Sequence, residues 1–175
     1  PYWIESDASE ISIVPLENNV FMQKVNDFRG EKRKFALIEP HLRFSNFLGN
    51  LIKFAFRKSR LTGCAQAFVH QVRQIANTNM CSDNSPEGIH QNGADFIISA
   101  LVLNRYNIRG GISKIYTFKN SNSKIVSRIL KVEEGVMHND TSLWHHVTSI
   151  CIKNTNISDH GFRDILGVDI LRKEC

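Results

Sequence analysis

The chain lacks any apolar run long enough to cross a bilayer. Its longest, Phe96-Ile97-Ile98 through Val102-Leu103, falls far short of the ~18 to 20 residues of a membrane helix, so no membrane partner is expected. Cysteine is scarce. The four present, Cys64, Cys81, Cys151 and Cys175, stand at wide, irregular spacings without a CxxC pair. That pattern argues against both a zinc knuckle and a disulfide framework, and leads to the expectation of reduced thiols in the cytoplasm. Repeats and low-complexity tracts are also missing. Pro1 opens the chain with no initiator Met and no basic-then-apolar leader, from which a trimmed or partial form of a longer protein is expected.

What is there fits one ordinary domain: 175 residues, 42% hydrophobic and 22% charged, enough to build a core and too apolar for disorder. The net charge of +5 invites a nucleic-acid reading. The basic residues gather in two clusters, Lys32-Arg33-Lys34 and Lys53, Arg57, Lys58 and Arg60. The second falls at the end of a helical pattern, where the negative helix terminus favours cations. No strand face interleaves aromatic with basic residues, so a nucleic-acid partner ranks last.

Phe44, Phe47, Leu48, Leu51, Ile52 and Ala55 recur at three-and-four spacing and predict one helix from about His41 to Arg60. After Gly63 the texture changes to short β-type runs: Cys64 to Arg73, Asp95 to Leu103, Gly111 to Phe118, Ile125 to Val132, Gly135 to His138, Trp144 to Lys153 and Phe162 to Leu171. Turn-rich stretches separate them, among them Ser82 to Gly88 and Asn154 to Gly161. The fold class is therefore mainly β with a flanking helix, a sandwich or jelly roll whose mouth can hold a ligand. We expect a single domain with residues 1–62 helical or irregular and 63–175 forming the β core.

Seven histidines make chance pairs common. His41, His138 and His160 lie in turns or near a helix start and read as surface or capping groups. His90 differs, because a polar turn, Pro86 to Asp95, delivers it into the apolar strand beginning near Phe96. In extended chain, residues two apart point the same way, so His90 and Asn92 can converge, and His145 on a later strand can join them. Two histidines and an oxygen ligand outline the face that leaves iron(II) with open positions, except that the carboxylate is missing. Arg163 opens the last strand run on one face with Ile165 and Gly167, where a guanidinium fork inside a barrel would grip a small dicarboxylate, provided that it is not simply paired with an Asp.

These residues carry a resemblance. From Ala67 to Ile170 the chain resembles the 2-oxoglutarate and iron(II)-dependent dioxygenase family that includes bacterial L-isoleucine 4-hydroxylases. The likeness rests on Val69-His70-Gln71-Val72-Arg73, on Pro86-Glu87-Gly88-Ile89-His90 with Gly93 and Asp95, and on Asn107-Ile108 with Gly110-Gly111. It continues through His145 with Val147 and Thr148 to Phe162-Arg163-Asp164-Ile165-Leu166.

The resemblance implies a double-stranded β-helix with iron held by His90, Asn92 and His145, and 2-oxoglutarate held by Arg163 with Thr148 nearby. Gln71 and Arg73 become candidate substrate contacts, and Tyr116 a cavity-lining residue. It implies Fe(II) as cofactor, 2-oxoglutarate and O2 as co-substrates, and a small molecule as substrate, most readily a free amino acid side chain.

Asn92 departs from the family's His-x-Asp. A neutral amide is the weaker donor, and three accounts stand open: lost or altered activity, an engineered substitution, or a site that tolerates an amide. Asp95 sits at the wrong offset from His90 to replace it. The alternative function is a catalytically inactive β-helix that keeps the fold as a binding module.

Overall fold

Alternation and helical period account for most of the elements in the computed structural model, which describes residues 1–7, 10–17, 20–21, 33–34 and 36–175. In chain order they are β1 (Tyr2–Ser6), β2 (Ile11–Pro15), β3 (Val20–Phe21), β4 (Arg33–Lys34), α1 (Pro40–Arg43), α2 (Asn46–Ser59), β5 (Gly63–Asn77), β6 (Phe96–Tyr106) and β7 (Ile108–Gly110). There follow β8 (Ile112–Tyr116), β9 (Lys124–Ile129), β10 (Gly135–Asn139), β11 (Trp144–Val147), β12 (Ile150–Ile152) and β13 (His160–Lys173).

The strands form a six-stranded sheet in the order β10-β6-β13-β5-β1-β2 and a three-stranded sheet, β11-β8-β9. Two two-stranded pieces, β12-β7 and β3-β4, complete the set. All pairings are antiparallel. This is the double-stranded β-helix.

The predicted helix is interrupted. Ser45 breaks it by accepting the Leu48 N–H on its hydroxyl, an N-cap that starts α2 afresh. Leu48, Ile52, Ala55 and Phe56 are buried against Ala65, Ala67, Leu166, Val168 and Ile170 of the large sheet. Phe44 and Phe47, counted on the same stripe, lie exposed. Arg57 and Lys58 occupy the last turn and Arg60 caps the helix in a left-handed conformation, so the second basic cluster has the structural role expected of it. Of the first, Lys32 lies outside the described residues.

Two expectations need correction. The N-terminal part is more than helical and irregular, since β1 pairs with β5 and β2 with β1, extending the large sheet. The thiols are not reduced: Cys64 pairs with Cys175 and Cys81 with Cys151, leaving no free cysteine. Strand register, which spacing along the chain does not reveal, produces both bonds. Lys173 lies opposite Cys64, bringing Cys175 to it, and the bridge between Ser82 and Ile150 sets Cys81 beside Cys151. Among the described residues no helix is long and apolar enough to cross a membrane.

Titration of the denatured, unreduced protein with a thiol reagent should find none of the four cysteines free. Reduction should lower the melting temperature, because cross-links closing loops of this size constrain the unfolded chain by roughly 4 kcal/mol each. Four titratable thiols in the purified protein would contradict the pairing.

Candidate functional site

β13 runs down the middle of the large sheet with β5 on one side and β6 on the other. Register sets Arg163 opposite Gln74 on β5 and Arg105 on β6. Arg163 has no solvent exposure, and its Nε, Nη1 and Nη2 all lack a hydrogen-bond partner. Both side-chain polar atoms of Gln74 and Nη1 of Arg105 are equally unpartnered, whereas Nη2 of Arg105 donates to the Gly110 carbonyl. Burial and the neighbouring Arg105 push Arg163 down to about 10, so it stays charged at neutral pH. A Cβ at Gly111 (φ +66°) would crowd Ile150, Arg105 Nη1 and Arg163 Cδ. Gly111 thus leaves room beside both arginine side chains. A buried pair of cations with free donors is a receptor for an anion, and a carboxylate satisfies the fork bidentately.

At a second group of buried side chains, His90 and His145 exchange backbone hydrogen bonds, and their rings lie 4.2 Å apart. The Nδ1 of His90 lies 2.9 Å from the Gly88 carbonyl and its Nε2 lies 3.0 Å from a Glu87 carboxylate oxygen. The Asn92 amide nitrogen donates to Asp169 on β13 at 3.1 Å, and Asp169 also approaches His70 Nε2 at 3.3 Å. Asp95 accepts the Arg172 N–H.

His138 is not the surface group its turn suggested. It is buried with Asp140 and His145, and one ligand atom from each lies within 4.8 Å of the others. Asp140 takes the Gly93 and Ala94 N–H groups on Oδ2, at 2.8 and 3.2 Å, which leaves Oδ1 facing the imidazoles. Sequence reading passed over this set, although His138-Asn139-Asp140 is itself a His-x-Asp. The signal was the strand ending at Asn139, which carries both side chains inward just before His145.

The other candidates make contacts of their own. Gln71 and Arg73 are exposed, because the inward face of β5 at this height carries His70, Val72 and Gln74 opposite Gly167, Ile165 and Arg163. Arg73 instead grips Asp164 with two 2.7 Å hydrogen bonds and stacks over Phe162. Thr148 accepts the Ile112 N–H on its hydroxyl, closing the turn where the predicted Trp144-to-Lys153 strand divides. Tyr116 is buried on β8, opposite Trp144. His41 is exposed, as expected, and so is His160, which contacts Asp159 and Ser158.

The sequence matches the family model for 2OG-Fe dioxygenases over residues 2–169. The chain belongs to the 2OG-Fe dioxygenase family. The match reaches through β1 to β13 and so takes in the N-terminal residues, where no likeness was read. Among solved structures the chain is similar to IDO from Bacillus thuringiensis, with a TM-score of 0.79 and 20% identity over 99% of this chain and 77% of that one. It is also similar to a bsmA homologue from Methylobium petroleophilum PM1, with a TM-score of 0.78 and 16% identity over 97% and 69% of the two chains. No curated protein sequence matches significantly.

A 2OG-Fe dioxygenase uses Fe(II), 2-oxoglutarate and O2, and the residues can be tested against these groups. Arg163, with its unpartnered donors, fits a dicarboxylate. Around His145 there are imidazoles and a carboxylate for a metal, but position 92 itself offers only a neutral amide, whose nitrogen donates to Asp169.

Burial pushes His138 down from 6.5 to about 4 and His145 well below its ordinary value, and it pushes Asp140 up from 3.8 to about 6 against the pull of its backbone donors. Between the folded and unfolded values of the histidines the unfolded chain binds more protons, so their contribution to stability is lost as pH falls. Asp140 acts in the opposite sense between 3.8 and 6. Two histidines outweigh one carboxylate. Urea unfolding of the metal-free protein should give a lower stability at pH 5 than at pH 7, with a smaller difference in a His138→Leu variant. A stability that rises on acidification would contradict this balance.

Proposed function

We propose that this chain is an iron(II), 2-oxoglutarate-dependent hydroxylase of a small molecule, with a free amino acid as the leading substrate class. The observation that carries the reading is Arg163: a fully buried guanidinium whose three nitrogens have no partner. Unpaired buried charge is costly unless a ligand supplies the counter-charge, and 2-oxoglutarate brings a carboxylate that suits the fork. Gln74 and the unpartnered Nη1 of Arg105 add donors beside it, and the absence of a side chain at Gly111 leaves space next to both arginines.

Bound iron supplies the oxygen chemistry, in which 2-oxoglutarate gives succinate and carbon dioxide as the substrate is hydroxylated. The chain's own part is to hold and shield. His90, Asn92 and His145 occupy the family's ligand positions and mark the metal end of the barrel. Arg163, with its unpartnered donors, would hold a carboxylate of the co-substrate. The apolar walls, including Ile97, Val102, Ile115 and Ile165, keep water away, which strengthens every charge interaction inside.

The amino acid substrate class rests on the family likeness, together with IDO from Bacillus thuringiensis among the similar structures. Cytoplasmic placement, expected when the thiols were read as reduced, has lost that support now that all four cysteines pair; two disulfides favour an oxidising compartment. A second reading, a binding module without oxidation, is favoured by Asn92, a neutral amide where the family carries a carboxylate.

Succinate release with Fe(II), ascorbate and a panel of free amino acids, read by mass spectrometry for a gain of one oxygen, separates the readings. Turnover by this chain, or by an Asn92→Asp version, supports the hydroxylase. No succinate and no hydroxylated product from either supports the binding module. Replacing Arg163 with Ala should raise the 2-oxoglutarate KM or Kd by roughly 30-fold or more, the usual loss when one partner of a buried charge pair is removed. An unchanged value would remove Arg163 from the site.

A further inference from the structure

Position 92 brings no negative charge to a metal, because Asn92 is a neutral amide whose nitrogen donates to Asp169. His90 lies against the Gly88 carbonyl and, at Nε2, 3.0 Å from a Glu87 carboxylate oxygen. In contrast, both ring nitrogens of His138, Nδ1 of His145 and Oδ1 of Asp140 are buried without a hydrogen-bond partner. Groups this deep are nearly always paired. Four orphaned atoms from three adjoining residues indicate a shared missing partner.

Geometry narrows what that partner is. Asp140 Oδ1 stands 3.7 Å from His145 Nδ1 and 4.0 Å from His138 Nε2. These separations are too long for hydrogen bonds. The three ligand atoms lie within 4.8 Å of one another, wider than adjacent ligands around an ion at about 2.1 Å, so closing the set takes a contraction of up to roughly 1.5 Å. Two imidazoles and one carboxylate form a ligand set for iron(II), zinc or a similar divalent ion.

The elements hold the set in place. His138 lies opposite Ile97 on the large sheet and His145 opposite Ile115 on the small one, so the turn between β10 and β11 joins the two walls at this point. The second oxygen of Asp140 anchors Gly93 and Ala94, just after Asn92, so the carboxylate is already oriented. It also supplies the negative charge that position 92 lacks.

We propose that the divalent metal of this chain is held by His138, Asp140 and His145, and that His90 and Asn92 are not its ligands. The proposal rests on the dioxygenase reading for the identity of the metal but differs from the family's pattern in the ligands. His90, paired with Glu87 and with its ring 4.2 Å from that of His145, then orients the centre from outside it.

The test is anaerobic titration of the full chain with Fe(II), and with Co(II) for its ligand-field spectrum, in the unaltered protein and in His138→Ala, Asp140→Asn and His90→Ala variants whose folding is checked by circular dichroism. One metal per chain is expected, with affinity at least tenfold weaker in the His138 and Asp140 variants and within about threefold of the parent in His90→Ala. If His90→Ala loses the metal while His138→Ala keeps it, the proposal is overturned and the dioxygenase reading stands. Absence of metal binding in the unaltered chain overturns the proposal, and if 2-oxoglutarate turnover is absent as well, it overturns that reading too. Should the His138 and Asp140 variants fail to fold, imidazole nitrogen NMR of the unaltered chain with Zn(II) decides. Ring shifts at His138 and His145 uphold the proposal, and a shift at His90 with none at His138 overturns it.

Discussion

A guanidinium buried without a counter-charge is the constraint around which the barrel is arranged. Arg163 sits on the central strand, between two long neighbours, with an amide opposite on one side and a second guanidinium on the other. Desolvating such a group costs several kcal/mol unless an anion meets it, and Arg105 adds repulsion. A sequence that keeps both cations here, and places a glycine at positive φ at position 111, where a Cβ would crowd both, is built for a bound acid. The helix packed on the outer face of β5 and β13 makes the arrangement affordable, since Leu48, Ile52, Ala55 and Phe56 join one apolar cluster with Leu166, Val168 and Ile170. The strand that carries Arg163 inward therefore carries the core outward.

The polar interior divides by charge. Around Arg163 it is cationic; around Asp140 and Asp169 it is carboxylate and imidazole, the chemistry that a metal needs. Asp169 ties Asn92 and approaches His70, while Asp140 faces His138 and His145. The proposed co-substrate site lies at the first of these poles and the proposed metal site at the second. A single substitution at position 92 becomes intelligible if a neighbouring turn has taken over the charge.

Much of this was legible in the sequence, for physical reasons. Three-and-four spacing marked α2, alternation marked the strands after Gly63, and the same alternation put Arg163 inward. Alternation gives parity without saying which parity faces in: on β5 the odd positions Ala65 and Ala67 lie under the helix, yet further along the strand they become the exposed Gln71 and Arg73. The disulfides depend on register between strands far apart in the chain, which cysteine spacing does not encode. His138 and Asp140 were hidden by their turn-like neighbours, because a turn can be buried when two sheets close over it. β1 and β2 are five-residue strands with little apolar alternation to distinguish them from loop.

The most direct measurement is a crystal structure of the anaerobic protein with iron(II) and 2-oxoglutarate, with anomalous maps collected at the iron edge. The account predicts an iron peak among His138, Asp140 and His145, and a carboxylate of 2-oxoglutarate within hydrogen-bond distance of the Arg163 guanidinium. Iron on His90 and Asn92 would contradict the metal assignment, and 2-oxoglutarate bound away from Arg163 would contradict the account as a whole.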